Sequence, residues 1–262
     1  MAPNDCEITT FAWIEHESVG LFALGHIQSL ELFRTKIVRP SLTALDHELQ
    51  ILRQSEDPTW VFLEDDYVEL FDKTLQGYVL AIQSMCERGL RGLLGERARR
   101  LNEGLTVKAI QKARWAMSQD GLQAHFKNLL GIELTAFDTY ADLDLLQNLG
   151  NAIRHGDGPS SQKVYKMRPG LWPHWLPPDS VMQGGPFTIR VPSDAPAFPP
   201  FEAISIPQAL LEQLIQSAIW FWDDIEHMRC NSFPRKNPTV EKKIEQWKIQ
   251  REQRSSNRFW NP

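Results

Sequence analysis

The residues best placed to do chemistry lie in "LLQNLGNAIRHGDGPSS", residues 145–161. A helical pattern there ends in Asn151, Arg154 and His155, then runs into Gly156-Asp157-Gly158-Pro159. At about 100° per residue, Asp144, Asn148, Asn151 and His155 fall within about 60° of one another. Leu145, Leu149, Ala152 and Ile153 fall on the opposite arc, which is expected to face the core. Arg154 sits on the outer edge of the polar arc, turned about 60° from Asn151. Asn151 and His155 are four residues apart and can reach one ligand. An imidazole moves protons near neutral pH, and a guanidinium grips phosphate at two points. Together they suit metal-free cleavage of an RNA backbone. The imidazole would activate the 2′-hydroxyl or protonate the leaving oxygen, while the guanidinium steadies the developing charge. The same residues also read as an ordinary helix end, since His is favoured in a last turn and Gly just beyond it.

The elements that must position this run are mostly helical. Residues 138–155 form one helix, capped by Asp138 or Thr139. Upstream, residues 8–56 carry Phe11, Ile14, Val19, Leu21, Phe22, Leu24, Ile27, Leu30, Leu32 and Phe33 at helical spacing. Pro40 is expected to break or kink that stretch, and Asp57-Pro58 to end it in a turn. A long helix follows from Trp60 to about Gly95, with shorter ones over 106–119 and 120–130. Ten of the 17 prolines lie between Pro159 and Pro200, so regular helix is not expected to persist there. Within that excursion "PFTIRVP" (186–192) alternates like a strand, with "FEAISIP" (201–207) as its expected hairpin partner. Helix resumes at "PQALLEQLIQSAIWFWDDIEHM", and a charged helix closes the chain. The spacing therefore predicts an all-α bundle of about five to seven helices with a small β-hairpin between the motif helix and the late helix.

Other charged clusters carry weaker signals. Arg88, Arg91, Arg97, Arg99, Arg100, Lys108, Lys112 and Arg114 form a local basic stretch that suits RNA, although Glu87, Glu96 and Glu103 interleave with it. Residues 235–258 mix Lys and Arg with Glu, as an exposed helix or a partner contact would. "WDDIEH" sets Asp223 and His227 one turn apart, a spacing able to hold a metal, yet polar decoration of an aromatic helix is the commoner outcome. No metal or cofactor is expected, and no Walker motif, nucleophile elbow or HExxH occurs.

Composition bounds these readings. The 262 residues are 42% hydrophobic and 23% charged, enough for a sizeable core. A net charge of −5 means that any phosphate-binding patch has to be local. Three widely spaced cysteines, Cys6, Cys86 and Cys230, argue for a reducing cytoplasm rather than a disulfide framework. The start of the chain lacks the basic-then-apolar pattern of a signal peptide, and no membrane span is expected.

The stretch "NAIRHGDGPSSQKVYKMRPGLW" (151–172) resembles the signature of HEPN-like proteins, helical bundles common in prokaryotic toxin–antitoxin and abortive-infection systems. The shared features are Asn151, His155, the Gly156-Asp157-Gly158 turn, Ser160 or Ser161, and the Arg168-Pro169-Gly170-Leu171-Trp172 step. The resemblance implies a HEPN-like domain over 1–232, including the Pro-rich excursion 159–207, with 233–262 as a charged helix and tail. It implies a homodimer, a metal-independent endoribonuclease active on RNA in defence or growth control, and a protein partner encoded nearby. Mapped by the motif, His155 is the acid/base, Asn151 positions the ribose or phosphate, and Arg154 contacts phosphate. Asn148, Arg88, Arg91 and Arg97 would line the RNA groove. One departure stands out: the family's arginine falls on Gly150. The alternative is a catalytically inactive interaction module that binds RNA or a partner, the latter through Trp220, Phe221 and Trp222.

Overall fold

The computed structural model of the chain describes residues 6–13, 22–55, 60–184 and 187–261. Ile14, Val19, Leu21 and the Asp57-Pro58 turn lie outside them. The described residues are mostly helical, with one small antiparallel sheet.

Helix α1 (Cys6–Thr10) is short. Helices α2 (Phe22–Phe33) and α3 (Arg39–Arg53) are joined by a π-helical turn, Arg34–Val38. This turn answers the problem that Pro40 poses. A proline inside a helix lacks its N–H and pushes against the carbonyl four residues back. The wider turn, in which the Arg39 N–H reaches Arg34 O, absorbs that conflict, and the rod continues instead of breaking. Helix α4 (Trp60–Arg100) has 41 residues, about 60 Å of rod. Helices α5 (Gly104–Lys112) and α6 (Leu122–Leu130) follow, α6 ending at Gly131 in the left-handed conformation. Then come the motif helix α7 (Tyr140–His155) and a further helix, α8 (Pro159–Met167). Helix was not expected to persist into the proline-rich region. It forms because Pro159 occupies the first turn, where a missing N–H costs nothing.

The hairpin sits between α7 and α9 (Gln208–Asn231), but its strands differ from the predicted pair. Strand β1 (Val181–Gly184) pairs with β2 (Phe187–Arg190), in the register Val181↔Arg190 and Gly184↔Phe187. The 201–207 segment is not a strand. It makes a 3₁₀ turn at Phe201–Ala203 and buries Phe201, Ile204 and Ile206 in the core. Pairing with the immediate neighbour closes a shorter loop, and three apolar side chains gain more from the core than from a solvent-facing sheet.

The late helix α9 is the hub, packed against α1, α2, α4, α7 and α10 (Pro238–Glu252). Phe221 and Trp222 are core residues, with the His26 ring stacked on Trp222 at 4.5 Å. Only Trp220 of that aromatic trio is partly exposed. Gly89 lets α4 pass close by, for a Cβ there would meet Trp222 at 2.7 Å. The 233–261 segment lies against the bundle. Ile244 and Trp247 pack with Cys230, and Arg251 and Arg254, which read as surface residues in the sequence, are 8% and 5% exposed. The Phe259 N–H then donates to Gln213 Oε1 at 2.9 Å. No helix among the described residues is long and apolar enough to cross a membrane.

Candidate functional site

The apolar arc of α7 is as its spacing predicts: Leu145, Leu149 and Ala152 are buried, and Ile153 packs at the core's edge. The helix emerges at its C-terminal end, where Arg154 and His155 are exposed and Asn151 is half-buried. It stops at Gly156, whose φ of +69° and ψ of −138° fall where glycine alone sits without strain. Thr139 stands at the other end as the N-cap residue, but its side chain makes no capping bond.

The polar arc is open only in its last turn. Asp144 is buried and collects the Trp115 indole N–H at 3.1 Å, the Asn148 amide at 3.2 Å and the Lys163 ammonium at 2.9 Å. Asn148 also donates to the Asp144 carbonyl at 2.6 Å. Its amide is therefore committed to its own helix rather than presented with Asn151 and His155.

Gly150 has a structural reason that the sequence alone did not give. Gln83 of α4 is fully buried beside it. The Gln83 amide nitrogen donates to Gln147 Oε1 at 3.1 Å and Asn151 Oδ1 at 3.4 Å. A Cβ at 150 would lie 2.5 Å from Gln83 Cδ. The space beside position 150 is thus filled from across the helix pair. The same glutamine orients the Asn151 carboxamide. Its only sequence signal was an amide beside Ser84 in the otherwise apolar run "VLAIQSMC".

The α4 arginines do not gather at this end. Arg88 is exposed and bonds the Ser84 carbonyl of its own helix. Arg91 pairs with Glu87 at 2.7 Å and donates to Ala113 O at 2.9 Å. Arg97 donates to Leu129 O at 3.2 Å, and Arg99 and Arg100 both pair with Glu96. Among the described residues, no hydrogen bond or ion pair joins Arg88, Arg91 or Arg97 to Asn151, Arg154 or His155. The interleaved glutamates neutralise much of what read as a basic patch.

Beyond His155 the signature residues hold the chain together. Asp157 Oδ1 accepts the Phe201 N–H at 2.6 Å, and the Trp172 indole donates to Pro200 O at 2.9 Å. Leu171 and Trp172 are buried. These bonds fold the proline-rich segment back over α8 and leave a cavity of about 540 Å³, lined by Asp157, Gly158, Ser161, Trp175 and Phe198 among others. Consecutive Cα atoms are 3.8 Å apart, so Asp157 lies within about 8 Å of His155 along the chain. The lining of this hollow thus begins two residues beyond His155 along the chain.

The "WDDIEH" turn is taken up internally. Asp224 is buried under Arg251 at 2.5 Å and Arg254 at 2.8 Å. His227 is 1% exposed, with neither ring nitrogen hydrogen-bonded, and its ring stacks on Trp247 at 6.0 Å. No cluster of three metal-ligating side chains occurs among the described residues. Compared with known proteins, the chain matches no family model, and no curated protein or solved structure is significantly similar to it.

Proposed function

We propose that the exposed end of α7 is an RNA-backbone site, and that the chain is a HEPN-like, metal-independent endoribonuclease-type effector of prokaryotic defence or growth control. The observation that carries this reading is the last turn of α7. It holds His155 and Arg154 in solvent, one turn from a half-buried Asn151 oriented by Gln83. In the proposed reaction one His155 takes the proton of a ribose 2′-hydroxyl. The 2′-oxygen bonds to phosphorus, the P–O5′ bond breaks, and the 5′-oxygen leaves with a proton from a second imidazole, supplied by a second copy of the chain. The products are a 2′,3′-cyclic phosphate and a 5′-hydroxyl. Arg154 would hold the non-bridging phosphate oxygens.

One observation favours a second reading. The Gln83 side chain beside Gly150 takes the place of the family's arginine, which suits a module that holds RNA or a partner without cutting it. One assay separates the two. Purified chain is incubated in EDTA with a single-stranded and a structured RNA, alongside His155→Ala. The first reading expects cyclic-phosphate ends, lost by about a hundredfold in the variant. His155 is exposed, so the variant should keep its circular dichroism spectrum. RNA that is bound but not cut supports the second reading. Equal cutting by the variant removes His155 from the mechanism.

A further inference from the structure

A second site stands at the opposite end of α7. Sixteen residues of helix put it about 24 Å from His155. A cavity of about 640 Å³ opens between the N-terminus of α7, Trp220 of α9, the end of α10 and the following tail. Four cations line it, Lys248, Arg251, Arg254 and Arg258, against two carboxylates, Asp138 and Glu252. Each cation also faces a carboxylate, Glu245, Asp138, Asp224 or Asp142, so the wall is a network of ion pairs that fixes the guanidiniums in place.

The cations are held rigidly. Arg254 is 5% exposed and reaches Asp138 at 2.9 Å, Asp224 at 2.8 Å and the Trp220 carbonyl at 3.1 Å. Its guanidinium also lies over the Trp220 ring at 5.5 Å. Arg258 is fixed by Asp142 at 2.9 Å, and Asp142 is held in turn by Ser217 and Gln213. Arg251 leans on Asp224 and Asp138. Pre-positioned guanidiniums bind an anion without first losing side-chain freedom. Lys248 is the looser member, 3.9 Å from an exposed Glu245.

The wall also holds donors that lack acceptors. Arg254 Nε and the Thr139 hydroxyl are buried with no hydrogen-bond partner, and both residues line the cavity. Buried polar groups normally find partners, and each one left without costs stability. Thr139 also begins α7, whose positive dipole end faces the same space. Burial pushes the Asp138 carboxyl above its usual range despite the pull of Arg254.

From this geometry we infer that the cavity binds a small phosphate-bearing molecule, with its phosphates against Lys248, Arg251 and Arg258 and the remainder against Trp220. This goes beyond the RNA-site reading and does not depend on His155. The test is calorimetry and thermal shift on the full chain at low ionic strength, with ATP and with tripolyphosphate as probes. One equivalent of at least one probe should bind and raise Tm. Two variants that keep the fold should weaken that binding about tenfold: Lys248→Glu, which reverses a half-exposed charge, and Ser255→Glu, which places a carboxylate at the exposed rim. Lys242→Glu makes the same charge reversal on an exposed part of α10 outside the cavity and should bind like the parent. Failure of both probes to bind, or equal weakening by Lys242→Glu, overturns the assignment.

Discussion

At the residue scale, position 150 shows what a motif can and cannot report. Glycine where the HEPN-like resemblance would put arginine was plain in the sequence, but its neighbour lies 67 positions upstream in Gln83, and no local pattern links the two. Every unit of volume added at 150 has to displace a fully buried amide that bonds Gln147 and Asn151. Gly150→Ala should therefore destabilise the fold by about 1–3 kcal/mol, the range for overpacking a filled core. Urea denaturation would measure it. The double variant Gln83→Ala/Gly150→Ala should recover part of the loss, because the new methyl then occupies vacated space. If the single change is silent, Gln83 can swing aside, and the steric account of the glycine at 150 fails. Asn148 teaches the converse: its place on the polar arc was legible, but the bonds that turn it back to Asp144 were not.

Among elements, periodicity predicted the long helices well because each has one continuous apolar face to bury. It failed where a residue's partner comes from a different element. The strand 187–190 was legible from alternation, whereas its partner was not, since Phe201, Ile204 and Ile206 alternate equally well but pack against helices. The join between the α2–α3 rod and α9 was also invisible. Arg34 and Arg39 converge there on Glu212 at 2.8 and 2.9 Å. Burial alone would push the Glu212 carboxyl up, but the Arg39 hydrogen bond and the Arg34 charge outweigh it and hold the carboxyl below its usual range. Arg34 is 6% exposed, so removing Glu212 strands a buried cation. Glu212→Ala should cost about 3 kcal/mol or more. Arg53→Ala, which breaks an exposed pair with Glu64, should cost under about 1 kcal/mol. Chemical denaturation of the two variants side by side tests the contrast. Equal losses would mean that the Glu212 junction is no more than surface decoration.

Over the whole molecule, stability and pH are coupled through the seam where α10 and the tail meet α9. Two groups one turn apart on α9 titrate in opposite senses there. Burial lowers the His227 pKa to about 4 from an ordinary value of 6.5. Burial raises the Asp223 pKa to about 6, against the pull of Arg254, from an ordinary value of 3.8. As pH falls from 6.5 towards 4, the unfolded chain takes up a proton at His227 before the folded chain does, so stability is lost on acidification. As pH rises from 3.8 towards 6, the folded chain keeps the Asp223 proton that the unfolded chain has released, so stability is lost in the other direction. In the parent the two slopes oppose each other across most of one window, and separate variants uncover them. Relative to the parent, His227→Phe, which keeps a ring against Trp247, should gain stability as pH falls from 6.5 to 4. Asp223→Asn should gain relative stability as pH rises from 3.8 to 6. Thermal melts of the three proteins at pH 4.5, 5.5 and 6.5 would show relative Tm values diverging with opposite sign. Parallel shifts across that range would show that neither group is buried as α10 and the tail require, and that the seam opens in solution.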